Sequence, residues 1–500
     1  MGPASTVKGG DLNRIEGRPM RARTKIVATI GPASRDPEVL RQLVREGMDV
    51  ARLNFSHGDP ETHEENVRRI RAAAEDVGRT VGIQVDLQGP KLRVGQVAES
   101  GISLEEGQTA TLVTEDIVGR TVETIPVQNK NLPELVDVGD RVLLDDGTME
   151  LEVLSVEAGE VRCRVRVGGV LTSNKGINLP GVAAELPSIT DKDRQDLAYA
   201  LAWDIDWIAL SFVRTADGIH QLKELVRDLS PDGEAVPVMA KIEKPQALDN
   251  LAAIIDAADA AMVARGDLGI EIPPEEVPMA QKRIIGACNE AGIPVITATQ
   301  MLESMIRNPR PTRAEASDVA NAILDGTDAV MLSAETTIGS YPVEAVRTMM
   351  RIIEEVEAKR PQVPTRGFRP LEGGLRLSIA DAVGRAAREA AHDLQAAALI
   401  TPTVSGYTAR VMAHYRPQAP IVAVTPDERV QRRLTLYRGV IPLLALRANN
   451  SDEMIDHAVD AARAKGLVAD GDTLVVTAGA ARSEPGTTNL MRVYVVGGEA

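Results

Sequence analysis

Cysteine is almost missing from this chain of 500 residues: Cys163 and Cys288 are the only two, and they lie far apart. Such a pair builds neither a disulfide framework nor a thiolate zinc site. Net positive charge is missing as well. Lysine and arginine number 56 against 72 acidic residues, giving a formal charge of −16 and a pI near 5.1. That balance argues against non-specific nucleic-acid binding and against an anionic membrane surface. Long uninterrupted apolar runs are the third absence. Apolar stretches such as ALDNLAAIIDAADAAMVA are interrupted by aspartate, and no signal-peptide pattern is visible. The expectation is a soluble cytoplasmic protein.

What is present is a count. Eight short apolar runs read as buried strands: 24–30, 49–55, 82–88, 206–212, 237–243, 260–266, 294–300 and 328–334. Their starts lie 23 to 34 residues apart, except for one gap of 124 between the third and fourth. Helical patterns fill the intervals. In 36–47, Asp36 stands as N-cap with Pro37 at the first helical position, and the pattern 311–326 stops on Gly326. Eight such units predict an α/β fold, a (β/α)8 TIM barrel, over an open doubly wound sheet or two smaller α/β domains.

The long gap changes period. From about Lys91 to Leu186, alternation of period two replaces the helical period, as in EVRCRVRVGG at 160–169. This predicts an all-β barrel inserted in the third βα loop, where it would act as a lid excluding water. Thr190 is the expected N-cap where barrel packing resumes. A further α/β region follows a link rich in proline and arginine at 360–370. The predicted division is therefore residues 21–88 and 188–360 as the barrel, 89–187 as the insertion and 364–500 as a C-terminal α/β domain. Residues 1–20 stand apart. They contain Ile15-Glu16-Gly17-Arg18, a protease-site tetrapeptide typical of expression vectors, and read either as a leader before a natural start at Met20 or as a disordered natural tail.

The strand ends deliver chemistry. Lys241, Glu243, Asp267, Thr299 and Ser333 would meet at one mouth, because parallel barrel strands all open on the same face. Lys241 and Glu243 are two apart and share a face of their strand. A lysine, two carboxylates and two hydroxyls on rigid strand ends suit metal-assisted phosphoryl or enolate chemistry. Glu243 and Asp267 are hard donors fit for one Mg2+, or Mn2+, that keeps several waters. Gly266 allows close backbone approach to a ligand. The plainer alternatives are capping carboxylates, a snorkelling lysine and, for Ser333, a hydroxyl satisfied by backbone.

The motifs TIGPAS (29–34), RLNFSHG (52–58), NLPG (178–181), KIEKP (241–245), ARGDLG (264–269), ATQMLESM (298–305), PTRAEASDVANAILDG (311–326) and MLSAET (331–336) occur in order. Together they resemble the pyruvate kinase family, across barrel, insertion and C-terminal region. The resemblance implies phosphoryl transfer from phosphoenolpyruvate to ADP, giving ATP and pyruvate in glycolysis, and a homotetramer. It further implies that Arg52 holds phosphate, Lys241 stabilises the transferring group, and Gly266 and Asp267 help bind substrate. Thr299 would lie on the route that protonates the enolate, with Ser333 assisting through water. Arg93, Lys175 and His57 match nucleotide contacts. Asn54, Ser56, Asp86 and Leu87 match the family's monovalent-cation positions.

Two departures qualify the resemblance. Members that need K+ read Asp-Thr-Lys-Gly-Pro-Glu after the third strand, whereas this chain reads Asp86-Leu87-Gln88-Gly89-Pro90-Lys91. That resembles the family's K+-independent branch, and Lys91 is expected beside Asn54, Ser56 and Asp86 in place of the ion. In the C-terminal region, Thr403, Ser405 and Thr408 resemble an activator loop for a phosphorylated effector. The segment 477–486 lacks the aromatic that some members use for fructose bisphosphate, which disfavours that activator. A non-catalytic metabolite-binding paralogue would be expected to lose Lys241, Glu243 or Asp267. A Mg2+-dependent pyruvate aldolase would lack the insertion and the C-terminal region.

Overall fold

The computed structural model describes residues 22–182, 186–230, 233–359, 378–447, 450–479 and 488–498, together with a short antiparallel backbone ladder of Arg14–Ile15 on Arg18–Pro19. The remainder of the expected leader, the link at 360–370 and residues 480–486 of the C-terminal loop lie outside the described residues.

Eight strands close a parallel barrel: β1 (Lys25–Thr29), β2 (Met48–Asn54), β3 (Gly82–Asp86), β4 (Trp207–Leu210), β5 (Val238–Ile242), β6 (Ala260–Ala264), β7 (Val295–Ala298) and β8 (Ala329–Leu332). Each is covered on both faces, which is why each reads as an unbroken apolar run. The helices between them start and stop as their caps dictate. The Asp36 side chain accepts from the amides of Glu38 and Val39, and Leu40, Leu43 and Val44 form the buried stripe of helix Pro37–Glu46. Thr190 and Thr312 each close a capping box, and Gly326 ends its helix in the left-handed region, at φ 104°.

At the N-terminal edge of the barrel the packing has a fourfold alternation. The amides of Ile26, Ile83, Val238 and Val295, on β1, β3, β5 and β7, donate to the carboxylates of Asp49, Asp206, Asp259 and Asp328 at 3.0, 2.8, 2.8 and 2.9 Å. Each aspartate stands at the opening of the next, even-numbered strand. An opening amide lies beyond the neighbour's carbonyl ladder and would otherwise be a buried orphan. Each carboxylate also meets a cation: Arg79, Arg71, Lys223 and Arg416 respectively.

The segment between β3 and β4 forms a seven-stranded sheet and a two-stranded ladder around one apolar core. In Glu160–Val167, residues Val161, Cys163 and Val165 are buried while their neighbours face water. Burial pushes the Cys163 thiol up to about 12, so it is inert packing. Strands Leu92–Arg93 and Gly176–Asn178 pair as the stem by which the insertion leaves and rejoins the barrel.

The C-terminal region is a five-stranded sheet of β9 (Ala398–Pro402), β10 (Ile421–Thr425), β11 (Val440–Leu444), β12 (Thr473–Ala478) and β13 (Leu490–Val495), in the order β11-β10-β9-β12-β13 with β13 antiparallel. It packs on the N-terminal end of the barrel. Barrel-interior residues Trp207, Met239, Met262 and Met331 share one apolar cluster with Leu399, Leu434, Leu436 and Tyr437. Around that contact Arg432 donates to Asp206 at 2.8 Å and Arg438 to Glu357 at 3.2 Å.

Candidate active site

The C-terminal mouth of the barrel holds a line of alternating charge. Arg52 on β2 donates through Nε to Asp86 Oδ2 at 2.7 Å, with a second, shorter contact from Nη2 to the same oxygen, and through Nη1 to Thr29 Oγ1 at 3.1 Å. Lys241 Nζ lies 3.3 Å from Asp86 Oδ1 and 2.8 Å from Glu243 Oε1, and donates to Ser211 Oγ at 2.8 Å. Arg52, Asp86, Lys241 and Glu243 are all buried. A lone ammonium here would lose several kcal/mol of solvation. Two carboxylates at these distances return roughly 5 kcal/mol each at an effective dielectric of about 20. The balance favours charge. Burial lowers the Lys241 pKa, but Asp86 and Glu243 outweigh it and hold the group above its ordinary value. Burial likewise raises Asp86, and the Arg52 and Lys241 charges overcome this to leave it below the usual carboxylate range.

Glu243 behaves differently. Burial raises its carboxyl, Lys241 pulls it down and the Asp267 charge pushes it up again, with a net rise. Its Oε2 accepts from the Phe212 amide at 2.7 Å, while Oε1 faces the Lys241 ammonium at 2.8 Å. Two acids that repel each other at the mouth fit a divalent cation, which would turn that repulsion into attraction. No cluster of three or more histidine, cysteine or carboxylate groups suited to a metal occurs among the described residues. A two-carboxylate site matches Mg2+ retaining several waters.

Asp267 sits on a short helix, Arg265–Glu271, that begins as β6 ends. Opposite it, Thr299 and Gln300 turn the chain through φ of 69° and 54°. A β-branched residue in that region costs about 1–3 kcal/mol and persists only when its surroundings fix it. They do. Thr299 Oγ1 accepts from the Gly266 amide at 2.8 Å and donates to Ala298 O at 2.6 Å, and Arg265 Nη2 donates to Thr299 O at 2.7 Å. The Gly266 amide is thus engaged by Thr299 rather than turned freely to the mouth. Ser333, past the end of β8, keeps a buried hydroxyl with no partner among the described residues. That answers the expectation of a hydroxyl satisfied by backbone: it is not. Its amide is held by Glu335 Oε2 at 2.7 Å, while Glu335 Oε1 accepts from Leu302 at 3.0 Å. This fully buried carboxylate, which the sequence reading passed over, pins the ends of β7 and β8 together.

The insertion contributes the other wall. Arg93 pairs with Gly176 in the stem ladder, which brings it next to Lys175: Arg93 donates to Asn174 O at 3.0 Å, and Lys175 Nζ meets Asp145 at 2.8 Å. The His57 pKa is lowered by burial and by the nearby charges of Arg93, Lys91 and Arg52. Asn54 Oδ1 accepts from the Ser56 amide at 3.2 Å, and Leu87 O accepts from Ser211 Oγ at 2.7 Å. The expectation for Lys91 needs correcting. Its ammonium pairs with Asp146 at 3.8 Å and Asp267 at 4.0 Å, not with Asp86. Asp86 already has Arg52 and Lys241, and the side chain runs over Gly176, where an added Cβ would lie 3.0 Å from Lys91 Cε.

The family description "Pyruvate kinase, barrel domain" matches residues 21–346, and "Pyruvate kinase, alpha/beta domain" matches 381–494. The chain belongs to the pyruvate kinase family. It is 50% identical over 479 residues to the pyruvate kinase of Geobacillus stearothermophilus, covering 95% of this chain and 81% of that protein. To pyruvate kinase 2 of Synechocystis it is 46% identical over 484 residues, covering 96% and 80%. Among solved structures, a pyruvate kinase from Cryptosporidium parvum superposes with a TM-score of 0.88 at 38% identity, over 95% of this chain and 96% of that one. Pyruvate kinases generally use Mg2+, and many use K+.

In the C-terminal region, the residue that opens helix Tyr407–His414 is Gly406, at φ 81°, with no side-chain cap. Thr408 lies inside the helix, where its hydroxyl accepts from Thr488 at 3.0 Å, so it is not the N-cap. Thr403 is buried and Ser405 exposed.

Proposed function

We propose that this chain transfers the phosphoryl group of phosphoenolpyruvate to ADP, with the reaction centred on Lys241. The observation that carries the reading is a buried, protonated ammonium held between two carboxylates at the open end of the barrel. In the reaction a terminal oxygen of ADP displaces the enol oxygen at phosphorus. The P–O bond to the enol breaks, and the enolate then takes a proton at its terminal carbon to become pyruvate. Lys241 meets the charge that gathers on the transferring group, where fixed electrostatics rather than covalent chemistry lowers the barrier. Arg52, steadied by Asp86 and Thr29, presents the rest of its guanidinium to phosphate. Glu243 and Asp267 would hold Mg2+, or Mn2+, which would supply Lewis-acid stabilisation of the negative charge that develops in the reaction.

Thr299, at its strained turn beside Gly266, positions substrate and lies on the proton route, with the unpartnered Ser333 hydroxyl relaying through water. Arg93 and Lys175, on the facing wall, hold the nucleotide phosphates together with His57 from the loop after β2. The Lys91 ammonium supports turnover without K+: it fixes positive charge at the mouth, although through Asp267 and Asp146 and not through the Asn54, Ser56, Asp86 and Leu87 positions. The Thr403–Thr408 loop is the place for a phosphorylated effector, and a cytoplasmic homotetramer is the assembly that fits the family. Nucleic acid and membrane play no part in this reading. A coupled assay for pyruvate from phosphoenolpyruvate and ADP tests it. Metabolite binding without pyruvate release would replace it with a non-catalytic paralogue.

A further inference from the structure

The carboxylate of Glu271 ends the helix that carries Asp267, and it is buried within the described structure. Its Oε1 accepts from two sides. Lys244 Nζ donates at 2.6 Å and Asn178 Nδ2 at 3.2 Å. Asn178 belongs to the stem strand through which the insertion rejoins the barrel, paired there with Leu143. Lys244 directly follows Glu243, and its ammonium lies 5.6 Å from the centroid of the Phe212 ring. The Phe212 amide, at a left-handed φ of 54°, is the donor to Glu243 Oε2. One carboxylate therefore touches the insertion on one side and reaches both metal-binding acids on the other, Asp267 through its own helix and Glu243 through Lys244 and Phe212. Asn178, Phe212, Lys244 and Lys91 line the cleft between insertion and barrel.

We infer that Glu271 is a positioning residue that couples the stem of the inserted domain to the two carboxylates of the mouth. The bifurcated acceptor makes stem attachment and carboxylate placement depend on a single group, so that movement of the stem is felt at both acids. Outer partners of ligand carboxylates commonly control metal affinity by about 10- to 100-fold. The metal part of this inference rests on the proposed function; the stem part does not.

Three substitutions separate the two arms. Hydrogen exchange in metal-free, substrate-free protein reads the stem, and the Mg2+ concentration for half-maximal turnover reads the acids. Glu271→Ala loses both donors. Exchange at 91–93 and 176–179 should rise about tenfold, as expected for losing a hydrogen bond to a charged group, and the Mg2+ requirement should rise by about tenfold or more. Glu271→Gln keeps an acceptor for Asn178 but not the charge for Lys244, so the Mg2+ requirement should rise while the stem stays protected. Asn178→Ala should loosen the stem with a smaller Mg2+ effect. Should the alanine variant of Glu271 fail to fold, the other two carry the comparison. Wild-type stem exchange in Asn178→Ala, an unchanged Mg2+ requirement in Glu271→Gln, or exchange that rises equally through every barrel strand would each overturn the inference. If stem exchange responds as expected but no variant or parent turns over phosphoenolpyruvate, the proposed function fails and the attachment stands.

Discussion

At the scale of single residues, Lys241 is the sharpest test. Lys241→Met keeps most of the stem and removes the charge, so substrate should still bind while phosphoryl transfer falls by about 100- to 1000-fold. Exchange of pyruvate methyl protons, which needs no phosphoryl transfer, should survive better; turnover at the parent rate would remove Lys241 from the mechanism. The lysine also separates Asp86 from Glu243, so its loss leaves buried acids short of a cation, and a stability measurement must accompany the kinetics. Lys91 carries the second residue-level expectation. Near-full activity is expected with Mg2+ alone in buffer free of sodium and potassium, and Lys91→Glu should lower activity and make it K+-responsive. Strong K+ activation of the parent, with tetramethylammonium as the ionic-strength control, would show that the charge near Asp267 does not serve this purpose. Lys91 also marks a limit of sequence reading. Position in a motif was legible, but direction was not, because the side chain runs where Gly176 leaves room.

At the scale of elements, the eight barrel strands were legible because burial on both faces writes them as plain apolar runs. The caps at Asp36 and Thr190 were legible because a short polar side chain before a helical pattern commonly serves as its N-cap. Lys241 and Glu243 could be placed on one face from their spacing alone. What the strands do to one another was not legible. The Arg52–Asp86 bond joins β2 to β3, Glu335 joins β7 to β8, and Glu271 joins stem to helix; no local pattern records such cross-chain pairing. The ring of aspartates was in plain view, since Asp49, Asp206, Asp259 and Asp328 open alternate strands, yet only the fold reveals the amides they satisfy. The turn at Thr299 belongs to this scale too. Thr299→Ser keeps the hydroxyl that holds the Gly266 amide and should retain most activity. Thr299→Ala leaves that amide without its acceptor and should lower kcat, by about tenfold or more if the turn relaxes from its strained conformation. Equal kcat in the two variants would mean that the hydroxyl does not matter.

At the scale of the whole molecule, the chain has three architectural bodies but not three independent interiors. The inserted domain keeps its own apolar cluster. The barrel wall and one face of the C-terminal sheet have clusters of their own, but the barrel interior and the other face of that sheet share one, with the rings of Trp207 and Tyr437 only 6.3 Å apart. Separating those two bodies would uncover the barrel floor and pull Arg432 away from Asp206 and Asp204. Heat should therefore see two units of melting. Scanning calorimetry is expected to give one transition for the insertion and a single, larger one in which barrel and C-terminal sheet unfold together. Arg432→Met should move the larger transition downward without splitting it, because breaking a buried pair costs about 3–5 kcal/mol and Arg71 remains to offset part of the loss. A third transition, or a C-terminal one that shifts alone, would show that the floor is a contact and not a common core. If it is common, the distal sheet cannot be trimmed away to leave a smaller working catalyst: the barrel would lose its cooperativity along with its floor.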